Sequence, residues 1–216
     1  TFIFLFMVFA TFLKASGVGD WMTGLATATC GGSVGGPAKA AVVASALQGT
    51  VSGSSVANVV STGSITIPLM KKTGYPPYFA GAVEATASTG GQIMPPIMGA
   101  AAFLMAEYMG VPYATVALKA ILPAVLYFAG IYIAVHLEAQ KLGLRGIPRE
   151  ELPQMRVLMK QIYLLAPLIV LVVLVSTNTF TMQFSASVAI FAAIAVGALN
   201  RNNRITLKKI VDALEA

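Results

Sequence analysis

Cysteine and histidine occur once each in the 216 residues, and only 10% of the residues are charged. The lone Cys30 excludes an intramolecular disulfide and matches no cysteine-rich metal-site spacing; it reads as a small buried thiol. One histidine, His136, leaves no partner for a metal centre or a Cys–His pair, and its place beside Glu138 at the end of an apolar run reads as a boundary residue. The serines have no base in a recognisable arrangement, so serine-type catalysis lacks its parts and the chain is read as no enzyme. Ordinary soluble domains carry about 25% charged residues, far more than this chain. A net charge of +6 would suit nucleic acid, but the basic residues sit in short clusters beside apolar segments. That placement fits lysine and arginine held on the cytoplasmic side of a membrane, and nucleic-acid binding is set aside.

What the chain has instead is apolar length. Hydrophobic residues make up 57%, mean hydropathy is +0.80, and no Asp, Glu, Lys or Arg occurs in residues 40–70 or 161–200. A membrane helix needs roughly 20 apolar residues, so the chain reads as an all-α, polytopic protein of a prokaryotic plasma (inner) membrane. It opens inside the run TFIFLFMVFATFL, without an initiator Met or a basic leader, and stops just after a basic segment begins an amphipathic helix. Part of a longer protein is the expectation.

Five segments follow from the breaks. Residues 1–36 hold an apolar helix and a short interfacial helix, with Asp20 as N-cap and Trp21 as interfacial anchor. Residues 37–73 form a hairpin, residues 74–110 an interrupted span, and residues 111–147 a crossing over 111–137. Residues 148–216 hold an amphipathic arm over 148–160, two spans over 161–177 and 183–199, and an amphipathic helix over 206–214. Two spans return the chain to its starting side, so Lys141, Arg145, Arg149, Arg156 and Lys160 share the cytoplasmic side with Arg201, Arg204, Lys208 and Lys209. Counting back puts Lys71 and Lys72 there too, with the turn at 108–112 outside. Lys119 is left inside a span, where its stem can snorkel toward an interface.

Residues 40–70 decide the interest of the chain. As one crossing they would strand Lys39 on the wrong side; as a re-entrant hairpin they keep Lys39 and Lys71 together. Residues 48–58, QGTVSGSSVAN, make a poor helix centre and a good turn, and each arm of about 15 residues reaches ~22 Å, near the middle of the bilayer. Residues 80–96, AGAVEATASTGGQIMPP, then interrupt a second helix, since proline removes a backbone donor and clashes with the preceding turn. Irregular backbone at membrane depth persists only where protein or a water-filled cavity satisfies it, and transporter sites use broken helices near the midplane. Ser52, Gly53, Ser54, Ser55 and Asn58 at one break, with Ser88, Thr89, Gly90, Gly91, Gln92 and Pro95 at the other, offer hydroxyls and freed carbonyls for a small cation and helix N-termini for a carboxylate. Small residues also let membrane helices pack closely, which alone accounts for most of the Gly and Ala. Glu84 lies in a span with no basic neighbour in sequence, and an intramembrane carboxylate points to function: coupled-proton carrier, cation ligand, or partner of Lys119 or of a group outside this stretch of chain.

The tip SGSS, the exit PLMKKTGY and the later STGGQIMPP occur in one order, and together they resemble the large membrane subunit of tripartite ATP-independent periplasmic (TRAP) transporters. STGGQIMPP followed by HLEAQKLGLRG is closer to the fused permeases paired with TAXI-type binding proteins than to the dicarboxylate type. The resemblance covers essentially the whole chain. It implies an elevator-type secondary transporter, of which this is the first half of an inverted repeat. It implies uptake of organic anions, usually carboxylates, driven by sodium or protons with no other cofactor. The partners it implies are an extracytoplasmic TAXI-type solute-binding protein, a small membrane subunit or its fused equivalent, and membrane lipid. It puts the first hairpin tip at 52–58 and the broken helix lining the ion and substrate site at 88–96, while Glu84 departs from the dicarboxylate type. A binding-protein-independent sodium/carboxylate symporter shares the same physical features; a membrane enzyme would need more convergent groups than the chain offers.

Overall fold

The computed structural model describes residues 2–148, 150–177 and 180–200, and among them it holds helices and no strand: α1 (Phe2–Ala15), α2 (Val18–Cys30), α3 (Gly36–Ser52), α4 (Ser55–Lys72), α5 (Pro77–Gly90), a 3-10 turn (Gly91–Ile93), α6 (Ala100–Met109), α7 (Tyr113–Lys141), α8 (Met155–Met159), a second 3-10 turn (Ile162–Leu165), α9 (Ala166–Ser176) and α10 (Met182–Leu199). The all-α expectation holds. The helices gather into two compact units.

One unit takes α1, α6, the first turns of α7, α9 and α10. Phe6, Phe9 and Leu13 recur three and four residues apart and are buried, which turns one face of α1 inward. Phe103 stacks on Tyr113 at 4.4 Å between ring centroids and meets Phe6 edge-on at 5.0 Å, geometries aromatic rings prefer. At the end of α10 the Asn200 amide donates to the Ser16 carbonyl at 2.8 Å.

The other unit takes α2 from Gly19, α3 to α5 with the break that follows, α7 from Lys119, and α8. Here α2 begins at Val18, so Asp20 lies within its first turn rather than capping it. Trp21 is no interfacial anchor: it is buried, and its indole N–H donates to the Leu158 carbonyl at 2.8 Å, the partner a buried indole requires. Cys30 is half-buried rather than buried. The expected amphipathic arm over 148–160 shrinks to α8, because Pro153 interrupts the ladder. The helix expected over 206–214 lies outside the described residues, as do Arg149, Arg201, Arg204, Lys208 and Lys209.

Among the described residues, α7 and α10 are each long and apolar enough to cross a membrane. At 29 residues, α7 is ~43 Å long at 1.5 Å per residue, more than the ~30 Å core needs. Leu118, Leu122, Val125, Leu126, Ile133 and Leu137 stand exposed along it, a surface suited to lipid. Lys119 is exposed on the same helix.

Candidate functional site

The site begins with the hairpin. Gly36 and Pro37 open α3, where a proline's missing N–H costs nothing, and the arm closes at Gly53 with φ 57° and its N–H on the Gly49 carbonyl at 3.2 Å. This is a left-handed C-terminal cap, for which glycine is suited. Ser54 then caps α4, its Oγ accepting from the Ala57 N–H at 3.4 Å, as N-cap serines do. Only Gly53 and Ser54 separate the arms, so the turn is far tighter than the expected 48–58 loop. At the far end the Tyr75 hydroxyl donates to the Gly35 carbonyl at 3.4 Å, so the chain leaves the hairpin where it entered. Twelve of the seventeen residues of α3 are buried against five of the eighteen of α4, which makes α3 the inner arm. The buried positions of α4 form a single stripe: Asn58, Thr62, Gly63, Thr66 and Met70.

The second break is shorter than the sequence suggested. Pro77 opens α5, which runs unbroken through Glu84 to Gly90. The interruption occupies residues 91–99: a 3-10 turn, then irregular chain in which Met98 adopts φ 55°. This stretch lies against the hairpin tip. Gly49 and Gly91 touch through their backbones, and a Cβ on Gly53 would run into the Met98 carbonyl. A Cβ on Gly99 would lie 3.3 Å from the Gly53 carbonyl. The Gln92 amide donates to Ser55 Oγ at 3.0 Å across the exposed side.

Deeper between the arms and α5 lies Glu84, fully buried. Its Oε1 accepts from the hydroxyls of Ser45 and Ser88, each at 3.2 Å, and from Thr62; its Oε2 accepts from Thr66. A buried charge ordinarily needs an ionic partner or strong hydrogen bonds. Among the described residues no lysine, arginine or histidine nitrogen comes within 4.0 Å of it, so the pairing with Lys119 is not formed and hydroxyls take its place. Asn58, also fully buried, donates through its side-chain amide to the Ser45 carbonyl at 2.9 Å, and its main-chain carbonyl lies 2.8 Å from Thr62 Oγ1.

The profile of the DctM component of tripartite ATP-independent periplasmic transporters matches residues 1–216. The chain belongs to this family. It is 41% identical over 91 residues to the C4-dicarboxylate TRAP transporter large permease protein DctM of Rhodobacter capsulatus, covering 42% of this chain and 21% of that one. It is 32% identical over 145 residues to the DctM of Vibrio cholerae, covering 67% and 31%. A third relative is the isethionate TRAP transporter permease protein DctMQ of Oleidesulfovibrio alaskensis, at 35% over 91 residues, covering 42% and 14%. The matched stretches cover about a third or less of the length of these relatives. Membership and the apolar spans make this a multi-pass protein of the inner membrane.

Within this DctM-family chain the site residues read from sequence divide into groups. Gly53, Ser54, Ser55, Asn58, Gly91 and Gln92 meet at the tip and the break. Ser52 ends α3, with its hydroxyl 3.5 Å from the Ser54 carbonyl, and Pro95 lies in the irregular stretch. Thr89 is exposed and returns its hydroxyl to the Ala85 carbonyl at 2.8 Å, away from the tip. Gly90 faces the rings of Tyr127 and Phe128 on α7. Ser88 joins Glu84 rather than the tip. Ser45, Thr62 and Thr66 were missed. The spacing Asn58, Thr62, Thr66, four residues apart in a charge-free stretch, is the signal that could have found two of them.

Proposed function

We propose that this chain is the part of a secondary transporter permease that holds one half of the ion and substrate site. The whole protein imports organic anions of the carboxylate class, driven by a sodium or proton gradient and supplied by an extracytoplasmic binding protein of the TAXI type, with a small membrane subunit or its fused equivalent alongside. The observation that carries this reading is the interlock of the Gly53–Ser54 turn with residues 91–99. At that point the N-terminus of α4 offers partial positive charge to a carboxylate. The last carbonyls of α3 and the irregular backbone of 91–99 offer oxygens to a small cation. The hydroxyls of Ser52, Ser54 and Ser55 and the amide of Gln92 complete a donor set without fixed charge. The names of the relatives, two for C4-dicarboxylates and one for isethionate, agree on small organic anions.

In the elevator reading, the hairpin and broken helix dip into the bilayer from the cytoplasmic side and travel with their cargo. The test is uptake of radiolabelled succinate by the full-length permease with its small subunit and binding protein in proteoliposomes. A sodium gradient and a pH gradient are applied separately, and the binding protein is omitted in one arm. Accumulation that needs one gradient and the binding protein is expected. Equilibration without accumulation would mark a channel and end the proposal.

A further inference from the structure

Resting on the transport reading just given, we infer that Glu84, with the hydroxyls of Ser45, Thr62, Thr66 and Ser88, is a proton site whose hydrogen bonds can be completed in two ways without moving an oxygen. The hydrogen count carries this. Each hydroxyl has one hydrogen and two acceptor lone pairs, and Thr62 and Thr66 each have a main-chain carbonyl in reach besides the carboxylate. Thr66 reaches Glu84 Oε2 and also the Thr62 carbonyl at 3.0 Å; Thr62 reaches Glu84 Oε1 and also the Asn58 carbonyl at 2.8 Å.

With Glu84 ionised, all four hydroxyls donate to the carboxylate, two from α4 and one each from α3 and α5. With a proton on Oε2, that O–H donates to Thr66 Oγ1. Thr66 then turns its hydrogen to the Thr62 carbonyl and Thr62 turns to the Asn58 carbonyl, while Ser45 and Ser88 stay on Oε1. The proton arrives from water and leaves to water, and nothing else is consumed. A carboxyl fixed by a lysine would have one such arrangement; this one has two.

The same geometry speaks against a cation at this point. A hard cation needs oxygens spread around a central void, whereas these oxygens converge on the carboxyl itself. A Cβ on Gly63 would already lie 3.1 Å from Glu84 Cγ. Among the described residues no basic nitrogen on the elements packed around α5 comes within 4.0 Å of Glu84, including His136 on α7, whose Nδ1 is buried without a hydrogen-bond partner. Lys39 lies over the Tyr132 ring at 5.2 Å, Lys72 pairs with Glu151 at 3.6 Å, and Tyr127 donates to the Thr86 carbonyl at 2.8 Å. Lys71 is exposed at the end of α4.

The site also has a route to the tip. Thr62 Oγ1 also lies 3.5 Å from the side-chain oxygen of Asn58, and the nitrogen of that same side chain adjoins Gly91, where a Cβ would come within 3.1 Å of it. Proton occupancy can therefore bias the contact between hairpin and break, which is the element the transport reading uses.

The test needs no substrate. The full-length permease in lipid vesicles is titrated with pH while the infrared C=O stretch of protonated carboxyl groups is followed. The expected result is a band that fades as pH rises, is absent from Glu84→Gln, and shifts in frequency in Thr66→Val, which keeps the carboxyl and removes its partner. A band that ignores pH over the range where the protein stays folded would overturn the inference. So would the same titrating band in Glu84→Gln, or its displacement by sodium at constant pH. Where Glu84→Gln fails to fold, Thr66→Val alone decides: an unmoved band overturns it. Failure of succinate uptake would remove the transport reading and leave this spectrum standing, so the two can fail separately.

Discussion

Gly49 on the inner arm and Gly91 at the break touch through their backbones, so that a Cβ on Gly91 would lie 2.9 Å from the Gly49 Cα. Both partners are backbone, so neither can swing aside as a flexible side chain would. Forcing an extra methyl into a packed contact costs about 1–3 kcal/mol. Gly49→Ala and Gly91→Ala in the full-length protein are expected to lower the melting temperature in detergent. Gly81→Ala, where nothing lies within 4 Å, should leave it unchanged or slightly raised. Wild-type melting in Gly49→Ala would mean that the hairpin and the break are apart.

The turn itself makes a sharper demand. Gly53 combines φ 57° with a Met98 carbonyl lying where its Cβ would go. Left-handed backbone costs a non-glycine residue roughly 1–2 kcal/mol, and asparagine tolerates it better than alanine does. If φ alone mattered, Gly53→Asn would recover what Gly53→Ala loses. The carbonyl forbids any Cβ, so both variants should lose uptake at normal membrane levels. Rescue by asparagine would show that the Met98 contact is dispensable.

Across the exposed side of the same junction, Gln92 reaches Ser55 at 3.0 Å. The bond joins the two elements the site is built from, so the single variants should not act independently. Gln92→Ala and Ser55→Ala are each expected to raise the half-saturating succinate concentration. The double variant should be little worse than the stronger single one, a coupling on the order of 0.5–1.5 kcal/mol. Strict additivity would mean the bond plays no part in the site.

How much of this could be read from the chain depended on whether the cue was local. Glycine at 53 and the serines after it marked the tip, and the double proline marked the second break, because turn chemistry is written in adjacent residues. Their extents were overdrawn. Helix α3 runs to Ser52 and α5 to Gly90, since glycine, serine and threonine are poor helix formers only on average and packing overrides them here. Glu84 was singled out because a charge in an apolar span is conspicuous by itself. Its partners on other helices were not: Ser45 lies on α3 and Thr62 and Thr66 on α4, and nothing in the sequence ties those helices to Glu84, whereas Ser88 follows it by one helical turn on α5. Trp21 failed for the same reason: Leu158, which takes its N–H, is 137 residues away.

The last prediction concerns sides. The Tyr75 hydroxyl on the Gly35 carbonyl ties the entry of the hairpin to its exit, and two arms that start and finish together cannot also deliver the chain to opposite faces of a bilayer. Single cysteines at Val34 and Lys72, both exposed, introduced with Cys30→Ser, should therefore react with a membrane-impermeant maleimide only when it has access to the cytoplasmic face. A cysteine at Tyr108, 88% exposed, follows one further passage of the chain through α5, the break and α6, and should react only from the opposite face. The three positions test separate steps of the topology. Val34 and Lys72 labelled from opposite faces would turn the hairpin into a full crossing and move its tip out of the bilayer centre. Tyr108 labelled with them would mean that the interrupted helix, rather than the hairpin, is the element that turns back.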